Sequence, residues 1–205
     1  MNAAGRQPWS TRTAHDRSDS ATHAAVLDAA AASFAEQGYK QSSIAGIAER
    51  AGVSRATFYV YFSSREEVFR ALTERVRDEL AEVQRAAGRS GDPRTVVDIA
   101  IRAAVRVYAR HARFITVMQH QALTDPDVAL LWDEVQAAPS RVNAGFIEML
   151  RREHGARPAA PPSTVAETVA AALVHLSGRA SDLDRLADEL VAVYLRLVGL
   201  PEENR

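Results

Sequence analysis

From Ser20 onward, apolar residues return every three or four positions, the period of a helix with one face turned to a core. Ala24, Val26, Leu27, Ala30, Ala31 and Phe34 form the first such stripe, and Gly38 stands where a C-terminal cap would close it. Ser43 can cap a short second helix presenting Ile44, Ile47, Ala48 and Ala51; Gly52 breaks it, and Ser54 caps a third at once. Ser64-x-x-Glu67 is a capping box that opens a fourth helix, striped by Val68, Leu72, Val76 and Leu80. After a break at Gly88 to Asp92, Pro93 suits a first helical position, and Val97, Ile101, Ala104, Val105, Tyr108, Ala112 and Ile115 keep the period. The spacing leaves open whether one helix or two fill residues 93–123. Thr124-Asp125-Pro126 starts the next, which reaches Arg151 and Arg152 before Gly155, and the prolines of residues 155–162 mark a loop. The last segment predicts a helical hairpin. Its first arm has the capping box Thr164-x-x-Glu167 and the stripe Val165, Val169, Leu173 and Leu176. In its second arm Leu183, Leu186, Leu190, Val193 and Leu197 stand close to a heptad seam, the kind that packs helices at shallow angles and could meet a symmetry mate.

Composition sharpens this into an all-α fold: 205 residues hold 39 Ala against only 10 Gly and 8 Pro. A net charge of −1 gives no global basic field, so any nucleic-acid site must be local. The absence of Cys removes disulfides, thiolate metal sites and thiol catalysis. No apolar run approaches the roughly 18 residues of a membrane span, and the polar first twenty residues do not read as a secretory signal. A cytoplasmic protein without a membrane partner is expected. The histidines make no metal signature, and no phosphate loop, dinucleotide fingerprint or serine elbow occurs, so no enzyme, cofactor or metal is expected.

The chemistry concentrates in the two short helices around Ala51-Gly52-Val53, a helix-turn-helix pattern. Gly52 can take the positive φ of a sharp turn, small Ala48 lets the helices approach, and Val53 plugs the gap. Phe58 and Phe62, one turn apart, anchor the third helix inward, which leaves Arg55, Thr57, Tyr59 and Tyr61 on its other side. Residues 1–65 carry seven basic and five acidic side chains, a local balance of only +2.

Gly38-Tyr39, Ser42-Ser43-Ile44, Ile47-Ala48, Ala51-Gly52-Val53-Ser54-Arg55, Thr57-Phe58-Tyr59 and Tyr61-Phe62 together resemble the DNA-binding region of TetR-family transcriptional regulators, over about residues 22–68. Residues 1–19, polar and without periodic apolar positions, read as a disordered tail, and the resemblance implies a helix-turn-helix domain over 20–66 and an effector-binding and dimerisation domain over 67–205. It implies a homodimer with recognition helices in successive major grooves, about 34 to 36 Å apart, on a pseudo-palindromic double-stranded operator. Ser42, Ser43, Tyr59, Tyr61 and Arg65 resemble the family's phosphate contacts, Arg55, Ala56 and Thr57 would approach base edges, and Ser54 is counted among the DNA-binding residues with them. For the arginines of the tail an idle, solvated role is the expectation, with minor-groove contacts as the alternative.

Three positions depart from the pattern: Arg65 replaces the commoner Lys, Val60 stands where relatives are often polar or basic, and Gly46 lies inside the second helix, where close backbone approach would explain it. The resemblance further implies a repressor released by a small-molecule effector that favours a conformation with the fourth helix moved. Tyr108, Phe114, Met118, Trp132, Phe146 and Met149 are the candidate lining of its pocket, and their apolar character suits an apolar effector. For the dimer interface the candidates are the hairpin stripes, Val165, Val169, Leu173 and Leu176 with Leu183, Leu186, Leu190, Val193 and Leu197.

Overall fold

In the computed structural model, residues 21–87 and 91–201 are described, and the tail over 1–19 and much of the break after Gly88 lie outside them. Among the described residues there are eight helices and no strand. They are α1 (Ala21–Gln37), α2 (Ile44–Arg50), α3 (Arg55–Tyr61), α4 (Arg65–Ala87), α5 (Pro93–Ala122), α6 (Pro126–Glu153), α7 (Pro162–Ser177) and α8 (Leu183–Val198). Residues 93–122 thus form one helix. Their apolar period never lapses, and Asp92 accepts from the N–H groups of Arg94 and Thr95 to start it. The capping box expected at Thr164 does not form: α7 begins earlier, on Pro161 and Pro162, and Thr164 lies inside the helix with its carbonyl accepting from the Thr168 hydroxyl.

The chain divides into two compact units between Leu72 and Thr73, and α4 begins in one and ends in the other. The first unit is built on aromatic packing. Phe34, Tyr39 and Phe69 form a mutual cluster with ring centroids 4.8 to 5.6 Å apart, and Val26, Ile47, Phe58 and Val68 are wholly buried around it. Gly52 takes φ 68° between α2 and α3, and the Val53 N–H returns to the Ala48 carbonyl at 3.0 Å. That left-handed residue lets a turn this short form without a Cβ clash.

In the second unit α6 packs on α7 and α5 on α8, with α5 also touching α6 and α7. Val105, Met118, Val135, Ile147 and Leu150 are buried at its centre. Gly178 closes α7 against α5 so tightly that an added Cβ would stand 2.8 Å from the Ala112 Cβ. On α4, Glu79 binds His111 and Arg110 of α5, each at 3.0 Å. Burial pushes its carboxyl up, but the hydrogen bond from His111 and the charges around it outweigh burial and leave it below the ordinary range.

Candidate nucleic-acid interface and ligand cavity

α3 has seven residues, too few to persist alone, and three features hold it. The Ser54 hydroxyl accepts from the Thr57 N–H at 3.0 Å and pairs with the Thr57 hydroxyl at 2.9 Å. Phe58 is 0% exposed, and the Phe62 ring lies in the same apolar layer, stacked on His23 at 4.9 Å. Arg55, Ala56 and Tyr59 are left exposed, with Thr57 and Tyr61 half-exposed. Ser43 is exposed too and caps α2, its hydroxyl accepting from Gly46 N–H at 3.1 Å. The close approach expected at Gly46 is absent: an added Cβ would meet only the Ser43 hydroxyl, at an ordinary 3.4 Å.

Two of the expected phosphate contacts are engaged inward. Ser42 is 1% exposed, and its hydroxyl and N–H both donate to the Gly38 carbonyl, so it closes the turn after α1 and presents no side chain outward. Arg65 donates from one nitrogen to the carbonyls of Lys40 at 3.1 Å and Ser42 at 3.3 Å, while its guanidinium lies 4.4 Å from the centre of the Tyr39 ring. The Tyr39 hydroxyl donates to Glu66 at 3.1 Å; burial, then the Glu66 charge, pushes this phenol up.

The second unit holds a partly open cavity of about 130 Å³. Of the six candidate lining residues it includes Tyr108 and Phe146. Phe114 and Met118 are instead core, 3% and 0% exposed, with Met118 sulfur accepting from Thr73 at 3.7 Å. Trp132 and Met149 are half-exposed and lie outside the lining. Spacing along one helix could not separate core from cavity, because both are apolar.

Polar residues set in apolar stripes were the missed signal: Gln84, Ser140, Asn143 and Tyr194 all line the space. Tyr194 donates to the Asn143 side-chain oxygen at 2.6 Å, and Gln84 donates to the carbonyl of Pro139, a proline inside α6, at 2.9 Å. Burial pushes the Tyr108 phenol up to about 12 and raises that of Tyr194 as well, so both stay protonated donors. Among the described residues, no side chain lining the cavity is charged. Among the described residues no cluster of His, Asp and Glu could hold a metal ion, and no helix is long and apolar enough to cross a membrane.

The proposed interface residues divide by burial. Val165, Val169, Leu173, Leu186 and Leu190 are at most 8% exposed within the protomer, and Val169 and Leu173 line the cavity. Leu183 and Leu197 are half-buried, whereas Leu176 and Val193 are 38% and 46% exposed. The near-heptad seam of α8 therefore serves largely the protomer's own core, and those five buried positions cannot form an outer face.

Residues 26–72 match the family described as bacterial regulatory proteins, tetR family. The chain is 31% identical over 144 residues to the HTH-type transcriptional repressor LfrR of Mycolicibacterium smegmatis, covering 69% of each chain. It is 29% identical over 135 residues to the HTH-type transcriptional repressor BepR of Brucella suis, covering 63% of this chain and just 65% of that relative's length. In fold it is similar to the transcriptional regulator FadR of Bacillus subtilis, solved in complex with stearoyl-CoA. There the TM-score is 0.71 at 17% identity, covering 87% of this chain and all of that one.

Proposed function

The chain belongs to the TetR family of bacterial transcriptional regulators, and on that footing we propose that it is a cytoplasmic, homodimeric repressor released from a pseudo-palindromic operator by a small molecule. The observation that carries the DNA reading is α3 itself: capped by Ser54 and anchored by Phe58, it leaves Arg55, Ala56 and Tyr59 exposed. Arg55 can bond guanine O6 and N7 in bidentate fashion, the methyls of Ala56 and Thr57 can touch a thymine methyl, and Ser43, Ser54, Tyr59 and Tyr61 offer hydroxyls to phosphate. Repression requires only that the bound dimer exclude polymerase, and the two relatives named repressors support that sign. The cavity of the second unit supports an effector site, as does the fold's accommodation of stearoyl-CoA in the Bacillus subtilis regulator. Such an effector must bind the DNA-incompetent state more tightly, by a factor that sets the induction ratio.

Selection of bound duplexes from a random pool at roughly 150 mM salt, where nonspecific electrostatics are screened, tests the DNA reading. An enriched palindrome with half-sites about one helical turn apart is expected. Enrichment of a single unrepeated half-site would reject the dimeric mode, and no enrichment by folded protein would reject sequence-specific binding in the ligand-free state.

A further inference from the structure

The cavity contains a polar group that the protein does not use. Tyr108 lines it and is only 4% exposed, yet among the described residues its hydroxyl has no hydrogen-bond partner. Among the described residues only the Arg65 Nε and the Ser177 hydroxyl are both buried and unpartnered, so the Tyr108 hydroxyl remains reachable, a donor that water or a ligand can meet. Asn143 adds a second unused donor. Its side-chain oxygen accepts from Tyr194, which leaves its amide N–H groups without an acceptor among the described residues. Both residues line a space whose other walls are mostly apolar, including Val97, Ile101, Phe146 and Leu173, with Gln84, Ser140 and Tyr194 as the other polar residues. With no lining side chain charged, an ionised group buried there would lose its hydration and gain no counterion.

Resting on the reading of this cavity as the effector site, we propose that its ligand is an uncharged, largely apolar molecule with a neutral oxygen acceptor, a ketone, ester or ether, that takes a hydrogen bond from the Tyr108 hydroxyl. The protein thereby keeps a donor that none of its described residues uses and that the ligand takes over from water. Asn143 offers a further donor to a second oxygen on the same molecule.

The test compares 2-nonanone with nonanoate, which share a carbon chain and differ in charge, by calorimetry on the full chain near neutral pH, where the acid is ionised. 2-Nonanone should bind at least ~10-fold more tightly than nonanoate. Tyr108→Phe should leave the melting temperature of the ligand-free protein unchanged and weaken 2-nonanone binding by roughly 10-fold. Weaker ketone binding at unchanged stability is what a merely structural tyrosine would not give. Equal or tighter binding of nonanoate, no binding of the ketone, or ketone affinity unchanged in Tyr108→Phe would each overturn the assignment. If 2-nonanone binds as expected but leaves operator affinity unchanged, the recognition chemistry stands and the effector reading alone fails.

Discussion

At the start of α4, the Arg65 charge is already engaged by the protein. Its guanidinium spans the carbonyls of Lys40 and Ser42 and lies on the Tyr39 ring, which braces the turn between α1 and α2. A lysine would supply a single ammonium on a flexible stem and could not reproduce the stacked, planar contact. The departure from the commoner Lys is thus accounted for by packing within the first unit. Arg65→Gln should weaken operator binding by loosening that turn while leaving the slope of log affinity against log salt unchanged, as measured by binding titrations over a salt series. A slope shallower by about 1.8, about 0.9 for each protomer of the dimer, would show that Arg65 meets a phosphate after all. The sequence supplied the charge at 65 and the hydroxyl at 42 but not their direction, because both turn inward through a loop whose path the apolar period does not encode.

Among the elements, the short helices were the most legible, since their ends are written in chemistry local to each. Ser43 and Ser54 cap α2 and α3 as their positions predict. The box at α4 forms with one shift, the Glu67 N–H donating to Ser64 while its carboxylate takes the N–H and hydroxyl of Ser63. Where a start is set by proline geometry, as at α7, a nearby Thr-x-x-Glu misleads, because two prolines have already fixed the first turn. Ser54 carries both the cap and, in the proposed complex, a place beside phosphate, and two variants separate the roles. Ser54→Ala should cost about 1 kcal/mol in chemical denaturation. Ser54→Asp should keep the cap and the stability, yet lower operator affinity by its charge against phosphate, with a steeper loss at low salt. Equal affinity for Ser54→Asp and the parent chain would place the α3 N-terminus away from the DNA backbone.

For the whole molecule, the sequence could show that α7 and α8 are amphipathic but not which body covers the apolar face. A seam spaced like a heptad looks the same whether it is buried by the protomer's own α5 and α6 or by a second copy. The protomer takes Leu186 and Leu190 for itself, so a charge at either would unfold the second unit and would say nothing about assembly. The proposed dimer must use the outward sides, where Leu176 and Val193 are exposed beside Ala171, His175 and Ala192. Leu176→Arg combined with Val193→Arg should leave helical circular dichroism intact and give the mass of a single chain by light scattering. A dimer persisting in that variant would move the contact to another surface. If the variant is monomeric, its operator affinity should also fall steeply, because with few basic side chains in the first unit one half-site offers few phosphate contacts, and only a linked pair of recognition helices adds the second half-site at high effective concentration.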